Sequence, residues 1–297
     1  MQVGIIGCGY VGLALAQKLL ENGHEVVGAR RSQSGLESIA ATGATPIAVD
    51  LTDPDTFRAL PAVDVIIITA STTGLDATAS RVLLVDGVTA LLDAFGNREQ
   101  VPDRAILTST TGVYGQQNGE WVDEQTPVAP ASSKLTAYVE AEHAFRESAT
   151  SHNIEPIVAR LGGIYGPGRY RIDSYVSRPV YPGYRNLIHR ADAAGALACF
   201  VEEGTMDHET VLVVDNEPVD RITFVKWLAD QMGTEMPPEK SRQELREDTD
   251  RSAASKRRLL ESKRCDNTLL RTIGYEFQYP TFRDGYEAAI AARKYSL

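Results

Sequence analysis

The sequence predicts an α/β protein: a doubly wound parallel sheet with a smaller C-terminal α/β lobe. Three observations carry that expectation. Short apolar runs alternate with amphipathic stretches, the pattern of strands joined by crossover helices. A glycine turn, Gly7-x-Gly9-x-x-Gly12, joins the first run to the first helical stretch. The run Val63 to Ala70 is apolar enough to be covered on both faces, as inner strands of parallel sheets are.

Taken in order, Val3 to Ile6 reads as a buried strand, and Leu13, Ala16, Leu19 and Leu20 recur at helical spacing. Between them Gly7 permits a tight turn, Gly9 lets the backbone approach a pyrophosphate, and Gly12 lets the helix pack close. Phosphates would then meet the N–H groups around Gly7, Gly9, Tyr10, Val11 and Gly12, where the helix dipole favours anions. The stretch reads as a Rossmann-type dinucleotide turn, the alternative being an ordinary glycine-rich βα turn. Residues 25–29 read as a second strand, followed by Arg30-Arg31-Ser32. A fold selecting NAD(H) places an acid about 20 residues past the glycines for the ribose 2′-hydroxyl. An arginine pair suits a 2′-phosphate, so NADP(H) is expected in preference to NAD(H), which stays possible.

Thr45 to Val49 is the third strand and ends in Asp50-Leu51; Thr52-Asp53-Pro54 then carries helix-start chemistry. The fourth strand, Val63 to Ala70, ends in Thr69 and Ala70, and ligands of such sheets bind beyond the carboxyl ends of strands. A helix over 81–95 leads to a fifth strand at 104–108, then Ser109-Thr110-Thr111-Gly112-Val113-Tyr114-Gly115 and a polar loop to Pro130. A helix over 132–149 precedes the sixth strand, 157–160. The glycine-rich stretch 161–169, containing Gly163, can fold over a cofactor or form a plain turn. Arg169, Arg171, Arg178, Arg185, His189 and Arg190 follow among several tyrosines, a basic run suited to phosphate or carboxylate or else a solvated surface. A helix over 191–202, a strand over 210–214 and a helix over 223–232 come next. The charged stretch 237–264 reads as a mobile excursion or exposed helix rather than a binding element. The last helix spans 282–293.

At 297 residues, two domains or one domain with a lobe is expected. Residues 1–168, completed by parts of 186–216, form the cofactor domain; 169–185 and 217–297 form the substrate lobe. A net charge of −10 argues against a general nucleic-acid binder. Cys8, Cys199 and Cys265 show no paired framework, and Cys8 reads as packing within the glycine turn. No leader or bilayer-length apolar stretch is visible, so a cytoplasmic protein is expected. His24, His143, His152, His189 and His208 lack ligand spacing, so no metal is expected.

Together these features resemble the extended short-chain dehydrogenase/reductases, the NAD(P)-dependent epimerase/dehydratase group, over nearly the whole chain. The resemblance rests on the glycine motif, Asp50-Leu51, the 109–115 segment and Gly163-Ile164-Tyr165-Gly166-Pro167-Gly168. It extends through Asn186-Leu187-Ile188-His189-x-x-Asp192-x-Ala194, Val213 to Pro218, and Lys263-Arg264-x-x-Asn267. It implies that Asp50 and Leu51 border the adenine and that Thr110 hydrogen-bonds the reacting oxygen. It also implies a Tyr-x-x-x-Lys pair on the next helix. Here the pair is reversed, as Lys134-x-x-x-Tyr138, with Glu142 keeping the register, which places the chain nearest the atypical branch.

Residues four apart share a helix face, so Lys134 and Tyr138 can remain neighbours. Lys134 could transfer a proton, polarise a carbonyl, hold a phosphate, or merely pack; Tyr114 and Tyr165 are fallback acids. Tyr114, Arg169, Arg171 and His189 are the expected substrate contacts. The expected activity is an NADP(H)-dependent oxidoreductase or epimerase/dehydratase on a polar, anionic sugar-like or small carbonyl substrate. The alternative is an NADP(H)-binding regulator or scaffold without turnover. Family members often form homodimers, so a homodimer is possible.

Overall fold

The computed structural model describes residues 1–204 and 209–294. β1 (Gln2–Ile6), β2 (Glu25–Arg30) and β3 (Thr45–Ala48) alternate with α1 (Tyr10–Glu21) and α2 (Gln33–Ala40). β4 (Val65–Ile68) leads to α3 (Ala77–Arg81), a π-turn over Val82–Asp86, and α4 (Gly87–Gly96). β5 (Arg104–Thr110), β6 (Glu120–Val122), α5 (Ser133–Ser151) and β7 (Glu155–Leu161) follow. Then come β8 (Gly163–Tyr165), α6 (Ile172–Val176), β9 (Tyr184–Arg185), β10 (Leu187–His189), α7 (Arg190–Glu202) and β11 (Thr210–Val213). The chain ends with β12 (Val219–Asp220), α8 (Arg221–Met232), α9 (Arg242–Glu247), α10 (Ala253–Leu260), β13 (Lys263–Cys265), α11 (Thr268–Thr272) and α12 (Phe282–Lys294).

Seven of these strands form one parallel sheet in the order β11-β7-β5-β4-β1-β2-β3, so the expected α/β architecture is found. The winding reverses between β1 and β4, which opens a crevice at their carboxyl ends. Alternate side chains serve opposite faces. Val3 and Ile5 join Leu15, Leu19 and Phe200 in one core, while Ile6, Ile66 and Ile68 join Leu91 and Phe145 in the other. A third cluster, centred on Tyr165, Phe224, Leu228, Phe282 and Tyr286, draws α8 and α12 onto β8. Among the described residues no helix is long and apolar enough to cross a membrane.

Three stretches differ from the sequence reading. The helix expected over 81–95 starts earlier, where the Asp76 side chain accepts from the Ala79 N–H. Its π-turn precedes Gly87, which packs against the Leu51 carbonyl with no room for a side chain. The polar loop before Pro130 contains β6, which pairs in parallel with β13. Neither strand exceeds three residues, and their separation in sequence hides the pairing.

The largest correction concerns residues 237–264. The exposed-helix alternative holds for α10, which buries no residue, but a Ser241/Glu244 capping box starts α9 and Leu245 is fully buried, so the segment is tied to the fold. The buried Arg221 guanidinium donates to the carbonyls of Pro182, Leu259 and Glu261, fastening the end of α10 to α8. That segment walls the cleft described below.

β5, α5 and β7 are joined by a buried ion pair. Arg160 Nη2 lies 2.6 Å from Glu142 Oε2, and Arg160 Nε donates to both carboxylate oxygens. Ser109 Oγ donates to Glu142 Oε1 at 2.5 Å, and Arg160 Nη1 donates to the Tyr114 hydroxyl at 2.7 Å. Removing one partner leaves the other charge buried and unpaired. Arg160→Met should therefore cost about 3–5 kcal/mol of unfolding free energy. Urea denaturation followed by circular dichroism measures this, and a loss under about 1 kcal/mol would show the pair to be dispensable.

Candidate functional site

The glycine turn lies at the carboxyl end of β1, where the sheet reverses. Gly7 has φ +78°, and a Cβ there would stand 2.6 Å from Ala70 Cα, so the β4 end and the turn are in direct contact. The Thr69 hydroxyl donates to the Gly7 carbonyl at 3.1 Å, and a Cβ on Gly12 would crowd that hydroxyl at 3.0 Å. Gly9 differs. A Cβ there would meet only the Gly7 carbonyl, at 3.5 Å, so the backbone faces open space. Gly9 also offers no side-chain acceptor to the first turn of α1, which leaves the Tyr10 and Val11 end of that helix open to an anion. These residues fit a dinucleotide pyrophosphate. Cys8 is fully buried beside them, and burial pushes its thiol up to about 12, as packing requires.

At the β2 end, Ser32 caps α2 by accepting from Gly35 N–H at 3.2 Å. The Arg30 stem lies against that first turn, where a Cβ on Gly35 would be 2.8 Å from its Cδ. Arg31 is exposed, with Nη1 3.4 Å from Asp50 Oδ2, and Leu51 is buried beneath. An exposed guanidinium with so loose a partner is available to a ligand anion.

Beyond the carboxyl ends of β5 and β7 lies a cleft of about 860 Å³. Thr110, Lys134 and Gly163 border it on the sheet side. Among the described residues its walls hold eight arginines and two lysines against Asp76 and Glu261. Arg169, Arg171, Arg178 and Arg185 come from the basic run. Arg221, Arg251, Arg257 and Arg258 come from α8 and the charged segment, so sequence reasoning missed half of the arginines. The available signal was that 251–258 is rich in arginine rather than mixed in charge. Glu261 lies in the same wall, and burial pushes its carboxyl above the usual range.

Thr110 Oγ1 accepts from Gly112 N–H at 3.0 Å, which turns the chain at the cleft floor. Lys134 Nζ donates to the carbonyls of Thr72 and Leu75 at 2.7 and 2.9 Å. Tyr138 Oη lies 2.8 Å from the Thr72 hydroxyl, and the tyrosine does not border the cleft. The reversed pair thus grips the loop after β4. Burial raises the Tyr138 hydroxyl above its ordinary value.

The structure places two expected substrate contacts away from the cleft lining. Tyr114 is fully buried, donates to the Asp123 carbonyl at 2.8 Å and accepts from Arg160, so it does not reach the cleft. His189 is buried, and its Nδ1 accepts from Ala191 N–H at 3.2 Å as the cap of α7. The fallback acid Tyr165 borders the cleft, but its hydroxyl points to the Thr281 carbonyl and burial raises it. Arg169 and Arg171 do border the cleft. Among the described residues no group of three or more His, Cys, Asp or Glu could hold a metal; His208 lies outside them.

Residues 3–212 match the NAD dependent epimerase/dehydratase family. Protein YeeZ of Escherichia coli K12 is 27% identical over 291 residues, covering 94% of this chain and 96% of that protein. A conserved protein of unknown function from Silicibacter pomeroyi is 26% identical, with a TM-score of 0.79 over 99% of both chains. The human epimerase family protein SDR39U1, solved with NADPH, superposes with a TM-score of 0.78 at 20% identity, over 98% of this chain and 99% of that one.

The His189 environment makes stability depend on pH. Burial, then the neighbouring Arg190 cation, lowers its imidazole from 6.5 to about 4. The folded state thus binds this proton less readily than the unfolded chain, so the contribution is complete above pH 6.5 and is lost as pH falls toward 4. Chemical denaturation across this window should show a steeper loss for the wild type than for His189→Asn. Parallel curves would remove His189 as the source.

Proposed function

From the premise that the chain belongs to the NAD dependent epimerase/dehydratase family, we propose that it is an NADP(H)-dependent oxidoreductase or epimerase/dehydratase acting on an anionic, sugar-like or small carbonyl substrate. One observation carries the substrate class. A cleft of strongly positive charge opens at the sheet's carboxyl edge in a chain of net charge −10. The NADPH held by the human neighbour and the Arg30-Arg31 pair support the cofactor preference.

A bound nicotinamide supplies hydride exchange with a substrate carbon. The chain's own residues do the rest. The cleft arginines hold the substrate anion, and Thr110 holds the reacting oxygen. Two of the three Lys134 N–H groups serve the Thr72 and Leu75 carbonyls. The third serves the substrate, so Lys134 acts as a fixed positive charge. Its grip on those carbonyls also favours the second reading, a cofactor-binding regulator without turnover. Steady NADPH oxidation with one carbonyl compound excludes that reading.

Fluorescence titration should show tighter binding of NADPH than of NADH, with the difference abolished in the Arg30→Ala, Arg31→Ala double variant. Equal affinities in the wild type would refute the assignment. With a verified substrate, Lys134→Met should lower turnover about a hundredfold, the scale of one lost electrostatic stabiliser. Unchanged turnover would confine Lys134 to the loop.

A further inference from the structure

Tyr10, the first residue of α1, carries contacts from two distant parts of the chain. Its hydroxyl donates to the Pro167 carbonyl at 3.0 Å. The Arg169 guanidinium carbon lies 3.9 Å from its ring centroid, and that of Arg190 lies 5.0 Å away. Gly166 makes the convergence possible. It has φ +141°, and a Cβ there would stand 3.1 Å from Tyr10 Oη, His189 Nε2 and Arg190 Cβ alike.

This arrangement is poor electrostatics for an isolated protein. Arg190 is the first residue of the 13-residue helix α7, where a cation opposes the helix dipole. Two guanidiniums share one ring, and neither has a carboxylate within 4.0 Å among the described residues. A cation–π contact at a partly exposed site returns little of that cost. The ring belongs to the helix whose first turn has no side-chain cap and whose Gly9 faces open space. An anion beside that turn would satisfy the helix and both cations together.

We propose that Arg169 and Arg190, shelved on Tyr10, form a clamp on the pyrophosphate of the bound dinucleotide. This rests on the dinucleotide reading given above. It reassigns Arg169 from substrate to cofactor, and because Arg169 also borders the cleft, the bound dinucleotide fixes one wall of the substrate site.

Calorimetric titration of the full chain with NADP⁺, NAD⁺, inorganic pyrophosphate and adenosine 2′-monophosphate tests the clamp. Arg169→Ala and Arg190→Ala should each weaken NADP⁺ and pyrophosphate about tenfold, the scale of one lost charge-assisted hydrogen bond. Adenosine 2′-monophosphate, which lacks a pyrophosphate, should bind both variants as it binds the wild type. Arg190→Lys, which keeps the charge but not the planar stack, should recover part of the loss, and matching thermal unfolding curves show that the variants fold. Unchanged NADP⁺ affinity in both alanine variants, or an equal loss for adenosine 2′-monophosphate, overturns the clamp and leaves the dinucleotide reading standing. A wild type that binds neither dinucleotide overturns both.

Discussion

The buried pair of Glu142 and Arg160 is the interaction on which the site depends. Two charges removed from water are costly, and their attraction repays the cost only when every remaining hydrogen-bonding position is filled. Here each nitrogen of Arg160 has a partner: Glu142 takes two, the Tyr114 hydroxyl takes the third, and Ser109 adds a donor to the carboxylate. The pair fixes α5 against β5 and β7, and the two residues that face the cleft follow from it. Thr110 is the next residue on β5 after Ser109, and Lys134 lies two turns before Glu142 on α5. A shift in that pair would move both sides of the cleft floor relative to each other.

The parallel sheet was legible because its physics is local in sequence. Strands covered on both faces read as apolar runs, glycines mark the turn, and Ser132 announces α5 by capping it at Leu135 N–H. The wall of the cleft was not legible for an equally physical reason. A solvated helix and an anion-binding wall share a charged composition, and only Arg221, reaching from α8 to carbonyls at 259 and 261, decides between them. The β6–β13 pairing fails in the same way, since it is long-range and made of three-residue strands.

The reversed pair shows how far a motif can carry. Spacing placed Lys134 and Tyr138 on one helix face, and the structure confirms that both turn toward the loop after β4. What spacing could not give is the partner. A lysine that meets two carbonyls is held as a donor, and a buried tyrosine whose hydroxyl meets another hydroxyl has no cation to lower it.

The remaining question is how an acidic chain stabilises a cleft crowded with arginines before any ligand arrives. Carboxylates meet Arg251, through Asp248, and Lys263, through Glu261; neutralising every cation this way would leave the cleft nothing to offer an anion. The chain satisfies the most buried guanidinium with backbone carbonyls instead. Arg221 has its donors met by carbonyls of residues 182, 258, 259 and 261, with no ion pair among the described residues. Burial, then the neighbouring Arg185 and Arg242 cations, lower its guanidinium to about 10. It remains charged at neutral pH. Carbonyl ligation thus fills hydrogen-bond valence without cancelling charge, so the positive field in the cleft survives. The same economy explains Tyr10, whose ring steadies two guanidiniums while leaving their charge free.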